Sequence, residues 1–223
     1  MRKRPLRFEP ARAPWVLASL LLAAGSWPAE AQAQRGDRDA WQNVPEVMAG
    51  LDIREDSRVA DVGAGSGYFT SHLARKVGAG GRVFAVEISV SELSRLRRLA
   101  EDEGLGNIEV VRGEIDDPML PERSLDAVLV VDAYHEMTEH EAMLAGIYRA
   151  LRPGGRLVVL DLAPSDDSAS RDRQTGRHRI DIDLAEQEVR AAGFQVVDRH
   201  PRFTRTPNGR TQWMLVARVA ASP

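Results

Sequence analysis

The sequence predicts an α/β domain built on a mostly parallel sheet that closes on an antiparallel hairpin. Three observations predict it. Five short apolar runs alternate with helical patterns between residues 58 and 160, the order left by strands joined through crossover helices. The run Leu125-Asp126-Ala127-Val128-Leu129-Val130-Val131 is almost wholly apolar, as a strand covered on both faces must be. Near the C-terminus Pro207-Asn208-Gly209 separates two further candidate strands, and Asn-Gly is a strong signal for a tight hairpin turn.

Taken in order, Trp41, Val44, Val47, Met48 and Leu51 recur at helical spacing and predict a short amphipathic helix over 41–51. Residues 58–62 read as the first strand, followed by a Gly-rich turn and a helix over 68–77. The second strand is 82–87. Ser91 opens the next helix, with Glu92 in its first turn, and it runs to about residue 103. Residues 108–111 form the third strand, 125–131 the fourth, and 139–151 a helix. Pro153-Gly154-Gly155 stops that helix and 156–160 is the fifth strand. Residues 164–180 are polar and read as a mobile loop or lid. A helix over 183–192, closed by Gly193, precedes strands at 194–197 and 211–219.

Length and composition allow one domain. The chain has 223 residues, 43% hydrophobic and 28% charged, the mix of a globular protein. Cysteine is absent, which removes disulfides, thiolate metal sites and a cysteine nucleophile. The first 33 residues contain five basic and two acidic residues, and the rest 25 basic and 31 acidic. A body near −6 carries no basic tract of the kind nucleic acid requires.

The uneven charge belongs to a targeting pattern. Arg2-Lys3-Arg4, Arg7 and Arg12 precede an apolar run over 15–25, and Ala31-Gln32-Ala33 follows. Basic, apolar, small is the order of a secretory signal peptide. Eleven apolar residues are too few to span ~30 Å of hydrocarbon comfortably. The expectation is a signal over 1–33 cleaved after Ala33 (Ala31 is the second choice), then a segment over 34–52 and a domain over 53–223. That places the body in the periplasm or outside the cell, with no stable membrane association. An uncleaved anchor is the alternative, and its basic flank still leaves the body on the outer side.

The first strand runs into Asp61-Val62-Gly63-Ala64-Gly65-Ser66-Gly67-Tyr68. Strand, Gly-rich turn and helix N-terminus together let backbone approach a ligand closely, with free N–H groups facing it. Glu87 ends the next strand, where a carboxylate can accept hydrogen bonds from both hydroxyls of a ribose. The spacing G-x-G-x-G, with Tyr at 68, departs from the dinucleotide pattern G-x-G-x-x-G. Asp61 would also repel a pyrophosphate. It suits a cationic group instead, such as the ammonium and sulfonium of S-adenosyl-L-methionine.

Residues 59–69, Val-Ala-Asp-Val-Gly-Ala-Gly-Ser-Gly-Tyr-Phe, resemble the first motif of class I S-adenosylmethionine-dependent methyltransferases. Glu87 stands where that family has its ribose-binding acid. Arg112-Gly113-Glu114-Ile115 with Leu120-Pro121 resembles its third-strand motif, and the resemblance implies adenine contacts from Glu114 and Ile115. Ser124-Leu125-Asp126-Ala127-Val128 and Leu151-Arg152-Pro153-Gly154-Gly155-Arg156-Leu157 resemble the fourth strand and the turn into the fifth. Glu114 replaces the family's usual Asp. The likeness covers about residues 41 to 220 and is greatest to bacterial members with signal peptides and Tyr-His after the fourth strand. It implies a Rossmann-like seven-stranded fold, S-adenosyl-L-methionine as cofactor, and binding residues Asp61, Gly63, Ala64, Gly65, Gly67, Glu87, Glu114, Ile115 and Asp132. It does not specify the acceptor, for which a small molecule is the default, nor the oligomeric state. An exported module that binds an adenosyl ligand without turnover is the alternative function.

Asp132-Ala133-Tyr134-His135-Glu136 follows the fourth strand, at the sheet end where reacting groups gather. His135 can take a proton from a hydroxyl or amine, and Tyr134 can orient a substrate. Packing or capping of the next helix is the favoured reading for both. No metal ligands are assigned. His135 and His140 are five apart, about 140° from alignment on a helix, whereas HExxH requires i and i+4. Arg177-His178-Arg179 in the polar segment reads as a solvated charge run, with an anionic substrate as the other reading.

Overall fold

The computed structural model describes residues 37–165 and 170–221. The expected signal segment over 1–33 lies outside them. Helix α1 (Val44–Leu51) is followed by β1 (Arg58–Val62), α2 (Tyr68–Val77), β2 (Arg82–Glu87), α3 (Val90–Asp102), β3 (Ile108–Arg112) and β4 (Leu125–Val131). A 3-10 turn (Tyr134–Glu136), α4 (His140–Ala150), β5 (Leu151–Leu162), α5 (Arg171–Thr175), α6 (Ile182–Ala191), β6 (Gln195–Arg205) and β7 (Thr211–Arg218) complete the chain.

All seven strands form one sheet in the order β3-β2-β1-β4-β5-β7-β6. The first five are parallel, and β7 runs antiparallel to both β5 and β6. The predicted α/β sheet with its C-terminal hairpin is the observed one. Alternation along the central strands makes two cores. In β4, Val128 and Val130 face one layer of helices, while Ala127 and Leu129 face the other. Trp213 and Leu215 of β7 join the first core, and Met214 and Val216 join the second. Strand order reverses where β1 meets both β2 and β4, and in open parallel sheets the crevice beyond that point is the ligand site.

Several elements differ from the sequence expectation. The helix expected over 41–51 begins at Val44, because Asn43 is left-handed and Pro45 stands in the first turn, where its missing N–H is harmless. A separate helical turn covers 37–41. Pro153-Gly154-Gly155 interrupts as expected, but as a bulge. Leu151 already pairs with Leu125, and pairing resumes at Arg156. Strand β6 extends to Arg205, beyond the expected 197, because β7 supplies it with partners along that length.

The polar segment over 164–180 is tied down at its described end. It contains α5, buries Gln174 and Ile180, and Ile180 C=O accepts a hydrogen bond from the buried Trp213 Nε1 at 2.7 Å. No helix among the described residues is long and apolar enough to cross a membrane.

Candidate functional site

A cleft of about 390 Å³ opens at the C-terminal ends of β1, β2 and β4, within the size range of small-molecule sites. Its wall includes Gly63, Gly65, Glu87, Glu114, Ile115 and Asp132. Six of the nine expected cofactor residues therefore converge on one cavity.

The Gly-rich turn divides its labour. A Cβ on Gly63 would lie 2.4 Å from Ala133 Cβ, so the turn and the segment after β4 pack here only without a side chain. Gly65 has φ +52° and open space where a Cβ would project, leaving bare backbone at the cleft. Gly67 is the left-handed N-cap of α2, and a Cβ there would strike Leu99 of α3 at 2.3 Å. It serves helix packing. Neither Gly67 nor Ala64 is on the cleft wall.

Glu87 is fixed by three backbone donors. Gly65 N–H donates to Oε2 at 3.0 Å, and Ile88 and Ser89 N–H donate to Oε1 at 2.8 and 3.1 Å. A carboxylate has about four lone-pair sites, so further acceptor capacity remains. Ile88 and Ile115, 56% and 58% exposed, also line the cleft. Large apolar side chains left open in a polar-edged cavity suit the faces of a flat heterocycle. Asp132, in left-handed backbone, accepts from Gln212 Nε2 at 2.8 Å. Burial first, then the charge of Asp161, pushes its pKa up to about 6.

Asp61 is not on the wall. It is 2% exposed, beneath the turn, and accepts from Thr70 Oγ1 of α2 at 2.6 Å. Burial is the main cause that raises its pKa to about 6. A carboxyl whose folded pKa exceeds its unfolded one favours folding when protonated. That contribution is full below the ordinary aspartate value of 3.8 and is lost as pH rises through about 6. About two pH units correspond to about 3 kcal/mol. Asp61→Asn is accordingly expected to raise the melting temperature at pH 8 and leave it unchanged near pH 4. Equal differences between variant and parent at both pH values would mean that ionised Asp61 carries no such cost.

The residues after β4 point in two directions. Tyr134 is turned into the core, and its hydroxyl donates to Glu188 Oε2 at 2.6 Å. Arg171 Nε donates to the other oxygen of Glu188 at 2.8 Å. Burial and the Glu188 charge raise the Tyr134 pKa, so it stays a phenol. The expected substrate role for Tyr134 gives way to a structural one, tying this turn to α5 and α6. His135 is 4% exposed. Its backbone N–H donates to Asp161 Oδ2 at 3.0 Å, and its Nδ1 lies 2.8 Å from Asp161 Oδ1. Burial acts to lower its pKa, but the hydrogen bond and charge of Asp161 outweigh that and raise it. An imidazole so raised is more basic when neutral, but a larger share of it is already protonated and cannot take a further proton. Its Nε2 is buried without a hydrogen-bond partner.

Sequence reasoning did not single out Asp161, Glu136, Ile88 or Met137, and it did not join His178 to His135. One signal pointed to Asp161. It follows an apolar strand run at the C-terminal end of the sheet, as Glu87 and Asp132 do.

Comparison with known proteins agrees with this geometry. A methyltransferase-domain family model matches residues 59–155. The chain is 30% identical over 129 residues to the ubiquinone/menaquinone biosynthesis C-methyltransferase UbiE of Teredinibacter turnerae, covering 57% of this chain and 51% of that protein. It is 32% identical over 112 residues to the UbiE of Yersinia pestis, covering 50% and 45%. The chain thus spans about half the length of these curated relatives. Among solved structures, a SAM-dependent methyltransferase from Aquifex aeolicus superposes with a TM-score of 0.69 at 19% identity, over 87% of this chain and 100% of that one. The [4+2]-cyclase SpnF superposes with a TM-score of 0.71 at 19% identity, over 83% of each. Both share the fold.

Proposed function

The chain carries a domain of the class I S-adenosylmethionine-dependent methyltransferase family, and on that premise we propose that it transfers a methyl group from S-adenosyl-L-methionine to a small-molecule acceptor. The observation that carries this reading is the cleft at the strand-order reversal. There bare backbone at Gly65, the fixed carboxylate of Glu87 and the open side chains of Ile88 and Ile115 meet.

These residues fit the cofactor. Glu87 keeps about one acceptor site for a ribose hydroxyl, Ile88 and Ile115 offer apolar contact to adenine, and Asp132 supplies negative charge for an ammonium. When bound, the cofactor supplies a methyl group on a sulfonium that is already a good leaving group. The protein's part is then alignment and exclusion of water. An acceptor that must lose a proton would sit beside Glu136, which lines the cleft and lies 3.7 Å from the Nε2 of His135.

Calorimetric titration with S-adenosyl-L-methionine tests the reading. Micromolar binding is expected, weakened about 10- to 100-fold in Glu87→Ala by the loss of charged hydrogen bonds. A folded wild-type chain that binds neither S-adenosyl-L-methionine nor S-adenosylhomocysteine would overturn it. Binding without formation of S-adenosylhomocysteine across an acceptor panel would favour a non-catalytic adenosyl-binding module.

Export belongs to the same proposal. The basic, apolar and small-residue order of residues 1–33 supports cleavage near Ala33 and a periplasmic or secreted body. N-terminal sequencing that begins at Gln34 is the expected result, and an intact Met1 would contradict it. The acidic body supports a partner other than nucleic acid.

A further inference from the structure

We propose that His135, Glu136 and His178 form a binding site for one divalent transition-metal ion, with Zn2+ the ion best matched to the donors. The argument starts at His135. Its Nδ1 is engaged by Asp161, so with the ring proton on that nitrogen the lone pair is on Nε2. This Nε2 is buried and has no hydrogen-bond partner. Glu136 Oε1 lies 3.7 Å from it, and His178 Nδ1 lies 3.6 Å from the same oxygen. Both distances are too long for hydrogen bonds. The three atoms nevertheless lie within 4.8 Å of one another.

That spacing is what an ion requires. With metal–ligand distances of about 2.1 Å, tetrahedral ligands are about 3.4 Å apart. The two separations from Glu136 Oε1 are 3.7 and 3.6 Å and the third is at most 4.8 Å, and the exposed Glu136 and His178 side chains can close them. Their side chains are 64% and 73% exposed. The two imidazoles stand at 86° with centroids 5.5 Å apart. Asp161 behind His135 completes a carboxylate–histidine arrangement, in which the outer acid fixes the tautomer and makes the ligating nitrogen more basic. Two imidazoles and one carboxylate suit Zn2+, Fe2+ or Co2+, whereas Mg2+ and Ca2+ prefer all-oxygen shells. Three protein ligands leave a coordination position open.

Glu136 also lines the cleft, so the ion would sit at its rim. It would also pin the turn after α5, which carries His178, to the 3-10 turn after β4. An oxygen or nitrogen of the acceptor could take the open position. That consequence rests on the methyltransferase reading, but binding of the ion does not.

The test uses the full chain without a histidine tag, stripped with chelator and titrated with Co2+ alone. One Co2+ per chain is expected, with the intense visible bands of a four-coordinate ion, displaced by Zn2+ and not by excess Mg2+. His178→Ala and Glu136→Gln alter exposed side chains and leave the fold intact. Each is expected to weaken binding at least about 10-fold, and Asp161→Asn to weaken it about 10- to 100-fold. Absence of Co2+ binding, or binding at wild-type affinity in both surface variants, would overturn the site. Cofactor binding is measured separately, so failure of the methyltransferase reading and failure of the metal site are distinguishable.

Discussion

Gly65→Arg is expected to keep the fold and abolish S-adenosyl-L-methionine binding. A Cβ at this position meets nothing within 4 Å, so the new side chain collides with no protein atom as it leaves the backbone. It enters the cleft that the bare backbone keeps open. The left-handed φ of +52° adds about 1–2 kcal/mol of strain for any L-residue, or a melting temperature lowered by about 2–8 °C. Loss of affinity should be far larger, at least about 100-fold, near 3 kcal/mol. Calorimetry and a thermal melt on one preparation separate the two effects. Gly63 would be a poor choice for this test, because its Cβ would strike Ala133 and unfolding would mimic loss of binding. Wild-type affinity in Gly65→Arg would place the cofactor elsewhere.

Asp161→Ala is expected to cost about 3–5 kcal/mol of stability. Asp161 is wholly buried and accepts from His135 N–H, His135 Nδ1 and Leu162 N–H. Truncation leaves these donors without an acceptor, and each buried donor left unmade costs about 1–3 kcal/mol. Against a typical total of about 5–15 kcal/mol, this is a large share. Urea unfolding with chelator present reads the protein network without any contribution from metal. Asp161→Asn preserves the shape and one acceptor oxygen, so its cost should be smaller. A change under about 1 kcal/mol for Asp161→Ala would mean that His135 finds another partner.

Much of the fold could be read locally. Strands β1, β2 and β4 stand at the expected residues, because apolar runs bounded by Gly and polar residues encode buried strands without outside help. Gly63, Gly65 and Glu87 reach the cleft as expected, since a strand–turn–helix junction fixes where its own backbone points. Less legible were elements whose partners are distant. The polar register of β6 beyond 197 depends on β7, and the anchoring of residues 170–180 depends on Trp213 and Gln174. Asp61 has the right position in sequence, yet Thr70 holds it beneath the turn.

By itself the sequence determined the α/β alternation, the strand that leads into the Gly-rich turn, and the acid at the end of β2. All are short-range patterns of apolar spacing, glycine and charge. Only the tertiary structure decided which way neighbouring side chains face and which distant ones meet. Tyr134 and His135 are adjacent in sequence, yet one donates to Glu188 of α6 and the other is engaged by Asp161 of β5. His178 reaches His135 because α5 and Ile180 are packed against the same end of the sheet. Spacing along the chain constrains only residues within the same element. Contacts between elements follow from burying both faces of the sheet, which no local pattern contains.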